Sequence, residues 1–282
     1  MFKLTIALLI ATLAFASAAN YNGNYFHIRD SGVRCVKYPC PSFLATSLNN
    51  GVVDLPIVDV IFDESINTSS VYDGLQTGYT NVVVYGVLST IYMDSNVINR
   101  INVEAAYRIL PLSADDQATR SGTYYTLSNS GIYCITTPCP TIRANQINSE
   151  ASQIAFNYFD TYNTYTKFDS FWLHNKEFVA EEPHKAIVQA NIFEGTVIVK
   201  AVFANIKDHV NPCPPIPKIG CAPGYSIVYT RDANRCLAFD GCVRSGVCTL
   251  SIPLCNEGYS LTSHSSAPNG CPHWYCDAAF LE

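Results

Sequence analysis

The chain has 282 residues, 48% hydrophobic and 14% charged, with a formal net charge of −6. So apolar a chain is not disordered, and its length allows more than one folded unit. The acidic balance gives no footprint for nucleic acid or anionic lipid.

Lys3, the apolar run Leu4 to Phe15 and the small residues Ala16-Ser17-Ala18 read as a secretory signal peptide over residues 1–19. The run is too short to span a bilayer, and no later stretch reaches about 18 uninterrupted apolar residues. A secreted, extracellular protein is expected, with no membrane span. All 12 cysteines lie downstream, an even number suited to an oxidising compartment.

The 26 residues from Asn24 to Asn49 recur without a gap as Thr123 to Asn148. Nine pairs are identical: Tyr25/Tyr124, Ser31/Ser130, Gly32/Gly131, Cys35/Cys134, Pro39/Pro138, Cys40/Cys139, Pro41/Pro140, Ala45/Ala144 and Asn49/Asn148. A duplicated module is the organising feature of the fold. The copies stay loosely in step afterwards, with Val103 to Tyr107 matching Val199 to Phe203.

In chain order, Tyr25 to Ile28, Thr80 to Tyr92, Ala186 to Phe193 and Thr196 to Phe203 are rich in Val, Ile, Tyr and Phe between turn residues, which are strand signals. Phe193-Glu194-Gly195-Thr196 reads as a hairpin turn. Residues Ile147 to Tyr158 carry apolar residues at near-helical spacing behind Ser149 as a cap, which predicts a short helix. Asn67-Thr68-Ser69 is an N-glycosylation sequon, expected on a polar loop from Asp63 to Gly78. The fold class expected is mainly β: β-rich domains over 20–112 and 122–210, with at most one short helix each, and a stapled C-terminal region.

Cys35 with Cys40, and Cys134 with Cys139, enclose short Pro-stiffened loops that a local disulfide can close. With no further His or Cys pair within the repeat, a disulfide is preferred to a metal site. Because Val36-Lys37-Tyr38 differs in charge from Ile135-Thr136-Thr137, where a common ligand would preserve side chains, the loops are expected to be structural, each bridge fixing a turn between two strands. Ser31-Gly32 and Ser130-Gly131 would form the turn before it.

The aromatic start, the paired cysteines with Pro between them and the downstream Asn resemble a domain family of unknown function found in secreted and lipoprotein-like proteins, mostly bacterial. The resemblance covers about residues 22–208. Arg34 matches the basic residue usual before the first cysteine; Tyr133 replaces it in copy two, and Pro-Ser or Pro-Thr stands where Gly-Gly is usual. The resemblance implies no activity and favours a non-enzymatic role.

The tail holds Cys213, Cys221, Cys236 and Cys242, then Cys248, Cys255, Cys271 and Cys276. These form two four-cysteine modules, 211–245 and 246–282, too small to fold without staples. Each allows three connectivities. Cys-x-x-Gly-Tyr followed by Gly270-Cys271-Pro272 resembles the second half of antistasin-type inhibitor repeats. On that reading Lys218-Ile219, between Cys213 and Cys221, is a candidate reactive bond; otherwise the segment is a rigid linker.

No nucleophile elbow, zinc-protease motif, phosphate loop or dinucleotide fingerprint occurs, the six histidines are scattered, and no cofactor or metal is expected. The adjacent acids Asp115-Asp116 and Glu181-Glu182 read as solvated. Aromatic candidates for a binding surface are Trp172 and Trp274. The function expected is non-enzymatic binding of an extracellular protein or glycan, with protease inhibition through the tail as the alternative.

Overall fold

The computed structural model describes residues 23–93, 96–207, 212–249 and 251–281; the expected signal peptide lies outside them. The protein is mainly β. Copy one runs β1 (Asn24–Asp30), β2 (Phe43–Ser47), β3 (Leu55–Ile57), β4 (Asp59–Phe62), α1 (Thr68–Thr77), β5 (Val82–Met93) and β6 (Asn96–Ile109). After a short α2 (Ala114–Ala118), copy two repeats this as β7 (Thr123–Asn129), β8 (Ile142–Gln146), β9 (Ser152–Ala155), β10 (Asn157–Asp160), α3 (Ser170–His174), β11 (Ile187–Phe193) and β12 (Thr196–Asn205).

The twelve strands make one sheet, ordered β3-β2-β1-β5-β6-β12-β11-β7-β8-β9, with β4 and β10 added in parallel beside β6 and β12. The sheet thus runs across the boundary expected between residues 112 and 122. Its seam pairs Ile109 with Phe203, Arg108 with Ala204 and Tyr107 with Asn205. Because Tyr107 and Phe203 are equivalent positions, a local twofold axis passes through the Arg108–Ala204 pair. Pairing here covers two edges that separate domains would leave open.

Strand alternation divides the apolar residues between the faces. Phe26 and Ile28 join Val71 of α1 in the core of copy one. Tyr125 and Leu127 join Trp172 and Leu173 of α3 in the core of copy two. On the opposite face, Leu48, Tyr107, Ile147 and Phe203 form a third core at the seam, with Tyr25 and Tyr124 packed against it.

A reciprocal exchange explains the last identity in the repeat. The Asn148 carboxamide accepts from Tyr25 N at 2.9 Å and donates to Tyr25 O at 2.8 Å and Leu48 O at 2.9 Å. In mirror fashion, Asn49 accepts from Tyr124 N at 3.1 Å and donates to Tyr124 O at 2.8 Å and Ile147 O at 3.0 Å. Both asparagines sit at positive φ (61° and 55°), a conformation Asn tolerates better than most residues.

Two local expectations are corrected. Residues 147–158 are not a helix. Asn148 at positive φ breaks the chain, Ser149 Oγ accepts from Ala151 N in a turn, and β9 and β10 follow. The helix of copy two is instead α3, where Asp169 accepts from Trp172 N at 2.9 Å, extended by a π-helical turn Asn175–Val179. The segment 63–78 is not a plain loop either. Asn67 caps α1 by accepting from Ser70 N, and the helix is hard to read because its buried residues are only Ser70, Val71 and Gly74.

The tail forms two hairpins, β13 (Tyr225–Arg231) with β14 (Leu237–Arg244) and β15 (Tyr259–Ser266) with β16 (Cys271–Ala278). Both modules pair their first cysteine with the third and the second with the fourth: Cys213–Cys236, Cys221–Cys242, Cys248–Cys271 and Cys255–Cys276. The second module packs on the body. Tyr259 OH donates to Pro111 O at 2.9 Å, and Cys276 N donates to Lys167 O at 2.9 Å. Phe280 packs against the cores of both copies, with the Arg108 guanidinium 4.9 Å from its ring centre.

Candidate binding surfaces

The repeat motif builds the same loop twice, between β1 and β2 and between β7 and β8. Ser31 Oγ donates to Pro41 O at 2.6 Å and accepts from Val33 N at 3.1 Å; Ser130 Oγ donates to Pro140 O at 2.6 Å and accepts from Ile132 N at 3.1 Å. Gly32 (φ 74°) and Gly131 (φ 75°) adopt the left-handed conformation. Their amides donate to Asp30 Oδ1 at 2.7 Å and Asn129 Oδ1 at 2.8 Å. The disulfides Cys35–Cys40 and Cys134–Cys139 close the loops, and Ala45 and Ala144, on the strands β2 and β8 that leave them, are fully buried. Every identical residue therefore shapes the loop, its foot or the seam.

At matching positions both loops present aliphatic side chains, beside the exposed Arg34 and Lys37 in copy one and Thr136 and Thr137 in copy two. Val36 and Ile135, each directly after the first cysteine, are fully exposed, and Val33, Tyr38, Ile132 and Tyr133 are exposed around them. In copy one, Tyr38 OH donates to Asp59 Oδ2 at 3.0 Å, and Arg100 pairs with the same oxygen at 2.7 Å, tying the loop to β4 and β6. A groove of about 550 Å³ lies beside this loop, lined by Tyr38, Pro39, Pro41, Val58 and Val97. It depends on the long β5–β6 hairpin. The β11–β12 hairpin turns earlier, at Glu194-Gly195 with φ of 48° and 72°.

The sequence-stated candidates fall in different places. Trp172 is only 3% exposed, packed in the core of copy two beneath Arg235, so it is not a surface anchor. An aromatic pair in a short polar stretch gave no sign that α3 turns that ring inward. Trp274 is half-buried on β16, opposite Ser263, on the other face of the hairpin from the stacked His264, His273 and Tyr275. Lys218 is exposed in the irregular segment 214–220, flanked by the disulfide-bonded Cys213 and Cys221. Asn67 is exposed, and only its side-chain oxygen is used by the cap.

Buried polar groups missed by sequence reading join the parts. His27 Nδ1 lies 2.7 Å from Val82 O and Nε2 2.9 Å from Tyr124 OH, so Nδ1 carries the proton and Nε2 accepts from the tyrosine of the other copy. Burial pushes His27 down to about 4. Glu177 is fully buried, accepts from Tyr158 OH at 2.6 Å and is pushed up to about 8 by burial. Arg231 bridges Asp277 at 2.6 Å and Asp169 at 3.3 Å, tying both tail modules to copy two. Among the described residues no group of three or more His, Cys, Asp or Glu side chains is placed to hold a metal ion.

Six disulfides are formed, which fits an extracellular protein. No helix among the described residues is long and apolar enough to cross a membrane. An uncharacterized protein of Dictyostelium discoideum is 32% identical over 279 residues, covering 98% of this chain and 94% of that protein. No solved structure matches. Residues 2–66 and 56–186 match a family described as a domain of unknown function, DUF6748, and the chain belongs to that family.

Proposed function

We propose that this is a secreted, non-enzymatic protein that binds an extracellular partner, polysaccharide, matrix or cell surface, through its paired disulfide loops. The supporting observation is the equal, full exposure of Val36 and Ile135 at equivalent positions of two braced loops. A rigid loop loses little conformational entropy on docking, and burying one such aliphatic side chain contributes about 1.5–3 kcal/mol. Two equivalent loops gain avidity on a repetitive partner. The purified mature protein is expected to be retained on at least one of cellulose, chitin and isolated cell walls, and Val36→Asp with Ile135→Asp to release it. Full recovery in the unbound fraction on every matrix removes the polysaccharide version of the reading.

A second reading is protease inhibition, supported by the exposure of Lys218 in a segment braced by Cys213–Cys236 and Cys221–Cys242. Because the tail packs on the body, the whole chain is the correct reagent. Titration of a trypsin-like protease at micromolar protein is expected to show inhibition that Lys218→Ala removes; undiminished protease activity rejects this reading.

A further inference from the structure

At the seam, on the face opposite α1 and α3, lies a cavity of about 430 Å³ lined by Tyr25, Tyr85, Glu104, Glu182 and Pro183. It is separate from the paired loops, and its residues come from both copies. Tyr25 is at the start of β1, Tyr85 on β5, Glu104 on β6, and Glu182-Pro183 in the segment leading into β11.

The segment is held over the sheet by three bonds. Tyr25 OH donates to Glu182 Oε2 at 3.0 Å, and the Pro183 carbonyl accepts from Tyr107 OH at 2.7 Å and Asn205 Nδ2 at 2.8 Å. The Tyr25 and Tyr85 ring centres are 4.8 Å apart and tilted by 46°, and together they form an aromatic wall.

Glu104 reaches this wall because of a β-bulge. Tyr85 pairs with Ala105 and Gly86 with Val103, leaving Glu104 as the extra residue on β6. In this copy the bulge is packed closely: a Cβ on Gly86 would stand 2.2 Å from the Asn102 carbonyl oxygen. Both carboxylates lie within electrostatic reach of one phenol: burial, then Glu104, then Glu182 push the Tyr85 hydroxyl above its usual range. Lys185 is near Glu182, but its ammonium donates to Glu177 O at 3.3 Å and does not line the cavity.

The other copy shows that this chemistry is not required by the fold. The same bulge recurs on β12, where Gln189 pairs with Ala201 and Ala190 with Val199, leaving Lys200 as the extra residue. Register places Gln189 opposite Tyr124 as Tyr85 is opposite Tyr25. The scaffold is retained while Tyr85 and Glu104 give way to Gln189 and Lys200. The acids and the second ring belong to one site of the pair.

We infer that this cavity is a binding site for an organic ammonium group on an alkyl stem, held between the Tyr25 and Tyr85 rings and the Glu104 and Glu182 carboxylates. Tyrosine faces attract a weakly hydrated organic cation, and two carboxylates supply the counter-charge. A small metal ion would instead need more oxygen ligands than two carboxylates provide. The volume is in the range of small-molecule sites, about 300–1,000 Å³, and a junction between units is a usual place for one. The group has two possible sources, a free polyamine or a lysine side chain of a partner protein, and both present the same cation.

Calorimetric titration of the mature chain with spermidine, with a lysine-containing peptide and with the same peptide carrying glutamine separates the sources. Saturable one-to-one binding of spermidine, of the lysine peptide or of both, but not of the glutamine peptide, is the expected result. Glu104→Gln and Tyr85→Leu should each weaken it about tenfold, as for loss of a charge-assisted or cation–ring contact. Lys200→Gln should leave it unchanged, and unaltered thermal midpoints for Glu104→Gln and Lys200→Gln show that folding is retained. Absence of saturable heat with both amines, equal binding of calcium ion, or affinity indifferent to Glu104→Gln overturns the assignment.

Discussion

His27 lies on β1 and Glu177 in the π-helical turn after α3, and burial moves their titrations in opposite directions. His27 falls from 6.5 to about 4, so the unfolded chain binds the extra proton between those values and stability is lost as pH falls through that window. Glu177 rises from 4.5 to about 8, so the folded chain binds the extra proton, and that contribution is lost as pH climbs from 4.5 through 8. The two slopes oppose each other where they overlap, and above pH 6.5 only the Glu177 decline remains. Glu177→Gln, which keeps a partner for Tyr158, is expected to flatten the loss between about pH 6.5 and 8 in urea midpoints measured at stepped pH. A decline of undiminished slope in that variant would place its cause elsewhere.

Among the elements, the Cys loops show how a small set of residues defines a shape without defining its contacts. Ser, Gly, the two cysteines and the Pro before the second set the path; between the cysteines only the aliphatic Val36 or Ile135 keeps its character, and the next two residues differ. So short a ring removes little denatured-state entropy. Replacing Cys35 and Cys40 together by Ala should lower stability by about 2 kcal/mol in chemical denaturation, leaving the β1–β2 register intact. Collapse of the whole sheet in that variant would show the bridge to be a folding requirement. The helices follow a different logic. α1 buries only Val71 among its apolar residues and α3 is five residues long, so neither shows a helical period, whereas residues 147–158 imitate one by chance.

For the whole molecule, the asparagine exchange is the closest link between the copies. Each carboxamide makes three hydrogen bonds to main chain of the other copy or beside it, at a position where φ is positive. Asn49→Ala or Asn148→Ala should each cost about 2–4 kcal/mol, from the lost bonds and the strained backbone, read from denaturant midpoints. A cost below 1 kcal/mol would remove the exchange as a main support of the seam. The tail depends on the body as well as on its disulfides. Arg231→Ala leaves Asp169 and Asp277 without their main cation, which for a buried pair costs about 3–5 kcal/mol. Hydrogen exchange on that variant should show protection falling in β13–β16 and around Thr166 to Trp172, with β1, β5 and β6 unaffected. Uniform loss across the sheet would mean that docking of the tail is part of global folding.

The duplication, the β character of both copies, the local pairing of Cys35 with Cys40 and Cys134 with Cys139, and the two four-cysteine modules were legible in the sequence, because each rests on neighbours in the chain. Identities at fixed spacing, alternating Val, Ile and Tyr, and cysteines five residues apart need no knowledge of distant contacts. Tertiary structure alone decided that the copies share one sheet, that Trp172 is buried, and which of three cysteine connectivities the tail adopts. It also brought Glu182, read as one of two solvated acids, to the Tyr25 hydroxyl 157 residues away. The physical reason is common to all of these. An edge strand, a ring or a carboxylate has the same local sequence signature whether it meets solvent or a partner, and long-range packing supplies the partner.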